Sequence, residues 1–319
     1  MTTTATTLRR IVQSIIVAGT GAVVAFAGSA QAATTQSFQI SPPTANYAAD
    51  PGNNVQGSIK VTNLTGEPIA LNVGRQNFVA KGEEGEIELV DNANPLYSLA
   101  PWFGVPAGVI EVAPRSTVVV PYTIDIPVNA EPGGRYGSII FSSIPPKLPS
   151  GVSGAAVQQT IAAIIFQRIN GAALENLEMA SFLPDKNFSE YGPVTLSTRI
   201  KNTGNVHEKP TGSITIKNMF GFTVDTLKLD EHFVIPGSVR HLKNDWPVSG
   251  KHKFLIGRYT AELNATYAGG KKLTATTSFT VLPWKLLAVA FIVLLILFLI
   301  FWKGRKRFAR AGRILAGRE

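Results

Sequence analysis

The sequence predicts an all-β protein: two tandem β-sandwiches followed by one C-terminal transmembrane α-helix. Three observations carry this. Apolar and polar residues alternate with period two along many short stretches between residues 33 and 283, as in strands that bury one face. Asn, Gly and Pro punctuate those stretches, and no helical period of ten or more residues interrupts them. The run from Trp284 to Trp302 is apolar except for Lys285 at its outer edge.

The elements follow in order. Arg9 and Arg10, an apolar stretch and Ala30-Gln31-Ala32 form the three-part layout of a secretory signal peptide. We therefore expect residues 1–32 to be removed and the mature protein to start near Ala33. The first sandwich is expected over residues 33–172. Its strands are carried by Val55, Gly57, Ile59 and Val61; by Ile69, Leu71 and Val73; and by Val118, Val120, Tyr122, Ile124 and Ile126. A Pro-Gly-Gly turn then feeds RYGSIIFSS, and VQQTIAAIIFQRIN reads as a more buried last strand.

The pattern restarts between Gly171 and Leu177, so the second sandwich is expected over residues 173–283. Val194, Leu196, Thr198 and Ile200 alternate, then Tyr259, Ala261, Leu263, Ala265 and Tyr267, and finally Ala275, Thr277, Phe279 and Val281. The linker has no Ser/Gly-rich stretch, which predicts two stacked domains rather than two loosely strung ones. Both units contain a strand, an Asn-containing turn and another strand: IKVTNLTGEPIAL and TRIKNTGNVHEKPTGSITI. Asn and Gly supply the side-chain bonds and backbone freedom that tight corners need.

Residues 284–302 would form a helix of roughly 28 Å, close to the ~30 Å hydrocarbon core. Trp284 and Trp302 sit at its two ends, and Lys303, Arg305, Lys306, Arg307, Arg310 and Arg313 follow in the 303–319 tail. By the positive-inside rule this predicts a single-pass membrane protein of type I, with a cytoplasmic tail and an extracellular N-terminal part.

The net charge of +9 does not point to nucleic acid. Of the 30 basic residues, two lie in the leader, one is Lys285 and seven lie in the tail; the remaining 20 face 20 acidic residues over 33–284. With no basic run in a neutral ectodomain, no nucleic-acid partner is expected. The chain has no cysteine, which for an exported protein favours a bacterial source and stabilisation by core packing.

Motifs for chemistry are sparse. His207 and Glu208 are adjacent, so on a strand they would face opposite ways and rarely share a metal. His232, His241 and His252 show no metal-ligand spacing. The pair therefore reads as a structural or solvated corner, with partner contact as the other option. No G-x-S-x-G or S-x-x-K occurs, and the glycine pairs Gly133-Gly134 and Gly269-Gly270 lack phosphate-loop form. The acidic run Glu83 to Glu88 lacks calcium-loop order and reads as a solvated loop or edge strand. Trp102 and Phe103, beside prolines in LYSLAPWFGVP, could stack on a sugar or peptide; a Trp covering the end of the core is the competing reading. We take these two as candidate ligand-binding residues and expect no catalytic residue, cofactor or metal.

FQISPPTANYAADPGNNVQGSIKVTNLTGEPIALNVGRQNF, PWFGVPAGVIEVAPRSTVVVPYTIDIPVNAEPGGRYGSIIF, KNTGNVHEKPTGSITIKNMFG and VIPGSVRHLKNDWP, with the closing helix and basic tail, resemble the WxL-interacting protein family of Gram-positive surface proteins. The resemblance implies that both sandwiches are immunoglobulin-like and that the ligand is cell-wall peptidoglycan or another surface protein. We expect non-enzymatic adhesion on that basis. The alternative is a structural or chaperone-like subunit of a membrane protein complex, in which the domains serve as protein contacts.

Overall fold

The computed structural model describes residues 36–145, 157–247 and 256–315; the expected signal peptide lies outside them. The described residues from Ser37 onward form one compact unit. Within it, four sheets pair into two sandwiches with separate cores.

The first sandwich is built from β1 (Phe38–Ser41), β2 (Thr44–Ala49), β3 (Asn54–Asn63), β4 (Ile69–Lys81), β5 (Glu86–Val90), β6 (Phe103–Gly104), β7 (Val109–Val112), β8 (Thr117–Asp125), β9 (Gly133–Ser143) and β10 (Thr160–Ile169). One sheet runs β1-β3-β8-β6. The other runs β2-β10-β9-β4-β5, with β7 also on β4. The alternation seen in sequence is the cause: Ile59, Val61, Val120, Tyr122 and Ile124 from one sheet meet Leu71, Ile139, Phe141 and Ile165 from the other. Each large apolar side chain so buried contributes about 1.5–3 kcal/mol.

The second sandwich comprises β11 (Leu177–Pro184), β12 (Phe188–Ser189), β13 (Val194–Asn202), β14 (Thr211–Asn218), β15 (Thr223–Lys228), β16 (Val239–Trp246), β17 (Gly257–Tyr267) and β18 (Lys271–Val281). Its sheets run β11-β13-β16 and β12-β18-β17-β14-β15. Trp246 lies fully buried in its core against Tyr259 and Phe279.

Among the named strands the pairing is antiparallel with two exceptions, at equivalent places. β1 pairs antiparallel with β3, whereas β2, after Pro42-Pro43, pairs parallel with β10 in the opposite sheet. In the second sandwich β11 pairs with β13, and β12, beyond Pro184, pairs parallel with β18. Proline cannot donate to a ladder, so the first strand of each sandwich breaks there and changes sheets.

A helix spans Trp284–Leu315, beyond the expected end at Trp302. Lys and Arg are good helix formers, so the basic tail continues the helix through Leu315. Its Trp284–Gly304 part is long and apolar enough to cross a membrane, with mean hydropathy 2.9.

Candidate functional site

The corner after β13 is built by Asn202. Its side-chain amide donates to the carbonyls of Val206 (2.8 Å) and Val234 (2.7 Å), and its oxygen accepts from the Gly204 N–H (2.8 Å). The residues this turn projects do not face solvent; they meet the first sandwich and the linker. Gly134 N–H donates to the Asn205 carbonyl (2.8 Å), and Asn205 exchanges bonds with Leu174 through its backbone and its side chain. Asn170, at the other end of the linker, donates to the Ala49 carbonyl and to Asp50. The linker is thus hydrogen-bonded on both sides.

His207 follows. It is buried, its Nε2 lies 2.9 Å from Asn46 Oδ1 on β2, and its ring meets those of Tyr136, Phe166 and Phe233 at 5.1–5.6 Å between centroids. These rings belong to a small third core, with Phe78 and Ile235, that bridges the sandwiches. Burial, reinforced by the nearby Arg168 cation, pushes the His207 pKa down to about 4, so the ring is neutral. Arg168 on β10 bonds Glu175 of the linker and lies 3.6 Å from Glu208. Burial raises the Glu208 pKa, as does Glu175, while Arg168 opposes them. A cleft of about 320 Å³ opens here beside Asn46, Arg168, His207, Lys209 and Phe233. Its cations already have partners, since Lys209 pairs with Glu231 at 2.9 Å. The arrangement is a joint.

The β4–β5 turn forms a second tie. Glu83 holds Arg199 through two hydrogen bonds, and its carbonyl accepts from the His241 N–H (2.8 Å). Glu84 bonds His241 Nδ1 (2.8 Å) and Lys243, while His241 Nε2 lies 2.6 Å from Ser197 Oγ. Those contacts lower both carboxyl pKa values, chiefly through Arg199 for Glu83 and through His241 and Lys243 for Glu84. The acidic run read as a loop or edge strand is both: β5 is an edge, and the turn before it docks on β16.

Ser197, His241 and Glu84 have the order of contacts of a hydrolytic triad, an arrangement no sequence motif announced. It lacks the rest of such a site. Ser197 sits in the central strand of β11-β13-β16, so the neighbouring N–H groups serve ladders on both sides and none is left to hold an oxyanion. Glu84 is exposed and shared with Lys243. Among the described residues no group of three or more His, Asp and Glu side chains is placed to hold a metal.

The two candidate ligand-binding residues part company. Phe103 is 1% exposed, packed edge-on to Tyr122, so its ring belongs to the core and offers no stacking surface. Trp102 is half-buried against the same core with the Arg135 guanidinium 5.4 Å over its ring, which fits the core-covering reading.

What the structure adds is a sheet edge. β2 runs beside β10 only from Ile164 to Ile169. Ile164 N–H donates to Pro43 and Asn170 N–H to Ala49, whereas the Gln159 carbonyl accepts from Ser143 on the β9 side. Strand groups alternate with period two, so the N–H and C=O of Thr160 and Ala162 point to the β2 side, where no described strand pairs with them; β1 packs nearby, and Ser37 before it bonds the Gln159 side chain. Residues 157–166 carry no charge and no proline, in contrast to the edge strands β5, β15 and β16, which bear charged residues, a usual protection of exposed edges.

No family model matches the chain, and no curated protein matches it. Among solved structures it is similar to the class 5 fimbriae chaperone CfaA, at 15% identity over 77% of this chain and 100% of that one, TM-score 0.39. It is also similar to the YadV chaperone, at 11% over 76% and 100%, TM-score 0.38, and to Salmonella enterica SafA pilin in complex with the SafB chaperone, at 12% over 77% and 96%, TM-score 0.38. At TM-scores below 0.5 and such low identities these likenesses assign this chain no role, and what it binds must come from its own residues.

Proposed function

We propose that the protein is a membrane-anchored, non-enzymatic binding module whose two immunoglobulin-like sandwiches form one arm, and that it holds an extended segment of a protein partner as an added strand beside the N-terminal half of β10. This is the chaperone-like alternative of the sequence reading rather than the glycan adhesin. The observation that carries it is the uncharged edge at Thr160 and Ala162, whose backbone groups no described strand pairs. Added strands gain affinity from main-chain hydrogen bonds and selectivity from alternate side chains. The anchor is the span Trp284–Gly304, with the sandwiches outside and the basic tail in the cytoplasm by the positive-inside rule.

The test is a photo-crosslinking side chain at Thr160 in the full-length protein in its native membrane, with Asn92 as the control position. A discrete cross-linked protein from position 160 and none from 92 is expected. No product from 160, with the protein instead sedimenting on peptidoglycan sacculi, would replace the strand-binding reading with wall binding.

A further inference from the structure

One end of the β12-β18-β17-β14-β15 sheet carries a row of exposed apolar side chains. The β14–β15 hairpin turns through Met219, Phe220, Gly221 and Phe222, and Met219 (58%), Phe220 (75%) and Phe222 (70%) are exposed. The turn is not loose. Asn218 Oδ1 accepts from the N–H groups of Phe220 (3.0 Å) and Phe222 (3.1 Å), and Gly221 takes the left-handed φ of +83° that closes it. Its polar groups are bonded inward while three large apolar side chains project outward.

The register fixes where this loop lies. Asn218 is opposite Tyr259, Tyr259 opposite Phe279, and Gly257 opposite Val281. The loop is therefore at the end of the sheet where β18 stops, and Leu282-Pro283 alone separate that end from the apolar helix. Ile256 before β17, Phe188 and Tyr191 at β12, and Trp284 are about half exposed at the same end. β12 runs parallel to β18 and joins the helix through Glu190, which pairs with Lys285 at 2.9 Å. With strands about 4.8 Å apart, the row is roughly 20 Å long. Aromatic and apolar residues with a nearby Lys are what the headgroup region accepts.

We infer that this end of the second sandwich seats on the lipid bilayer, with Phe220 and Phe222 inserted among the headgroups beside the helix. The seat rests on the reading of that helix as a membrane span, and the two can be tested separately. Because the chain has no cysteine, single cysteines can be spin-labelled in the full-length protein reconstituted in phosphatidylcholine/phosphatidylglycerol vesicles. Phe220→Cys, Leu295→Cys in the helix and Gly66→Cys in the first sandwich are compared by their accessibility to oxygen and to a water-soluble nickel chelate.

The expected oxygen-to-nickel ratio is highest at 295, lowest at 66, and several-fold above the latter at 220. In an Ile256→Cys background, Phe220→Ser with Phe222→Ser is expected to bring the ratio at 256 down towards the aqueous value. A ratio at 220 equal to that at 66, with 295 still in lipid, overturns the seat and leaves the anchor standing. Protection of 220 in native membranes but not in pure lipid vesicles assigns the patch to a protein and also overturns it. An aqueous value at 295 overturns the span and the seat together.

Discussion

The two sandwiches contain the same corner and use it differently. After β3, Asn63 donates to the carbonyls of Glu67 (2.7 Å), Val112 (3.0 Å) and Ala113 (3.1 Å) and accepts from Thr65 N–H (2.8 Å). After β13, Asn202 does the equivalent with Val206, Val234 and Gly204. Both asparagines are buried. Yet the first corner ends in the exposed residues Gly66 and Glu67, whereas the second hands its next residues to the linker and the first sandwich. One piece of local chemistry thus serves as a plain turn in one place and as a joint in the other. The difference lies in what arrives from far earlier in the chain, such as Asn46 beside His207.

The comparison can be sharpened by substitution. The largest effect is expected where the corners agree. Asn202→Ala removes the bonds to Val206, Val234 and Gly204, and Asn63→Ala those to Glu67, Val112, Ala113 and Thr65, so each should cost about 3 kcal/mol in urea unfolding. A much smaller loss at Asn63 would mean that the corners are alike only in outline.

Next comes the place where they differ. A Cβ at Gly204 would run into the Leu174 carbonyl oxygen and the backbone of Asn176, while one at Gly66 would meet nothing within 4 Å. Gly204→Ala should cost about 2 kcal/mol by overpacking, and Gly66→Ala should change stability by less than about 0.5 kcal/mol.

The joint should also give stability a pH dependence that the first corner lacks. The folded pKa of His207, about 4, is below the ordinary value near 6.5. Between those values the unfolded chain holds the proton and the folded chain does not, so stability falls as pH drops through that window. Glu208 acts in the opposite sense, because its raised folded pKa adds stability as pH falls through it. Relative to wild type, His207→Gln should therefore recover on the order of 3 kcal/mol between pH 7 and pH 4. A constant difference across that range would show that His207 titrates normally.

The smallest effect is expected at the exposed tie. Glu84→Gln removes contacts to His241 and Lys243 from a solvated carboxylate. Its small loss in melting temperature should shrink further in 1 M salt, since surface pairs are screened.

These contrasts mark what could be read from the residues. The strands, the Asn63 and Asn202 corners and the apolar helix depend on neighbours within a few positions, and the sequence carries their signals directly. The joint does not. His207 is held by Asn46, 161 residues away, and Arg199 by Glu83, 116 residues away, and nothing local marks either pairing. Sheet switching at Pro42-Pro43 could have been suspected from the missing donors, but its parallel partner could not. Phe103 had the composition of a stacking residue, yet alternation within its two-residue strand turns it into the core. The half-open edge of β10 is invisible without knowing where β2 stops.

The most direct test of strand addition is Ala162→Pro. It removes one N–H on the β2 side and none of the hydrogen bonds to β9, a position where an edge strand accepts proline, so stability should stay within about 1 kcal/mol of wild type. If β10 receives a partner strand, the cross-link from position 160 disappears in this variant while the protein remains folded and membrane-bound. If the cross-link persists at full yield, the partner does not pair with that edge and the proposed mode of binding is wrong.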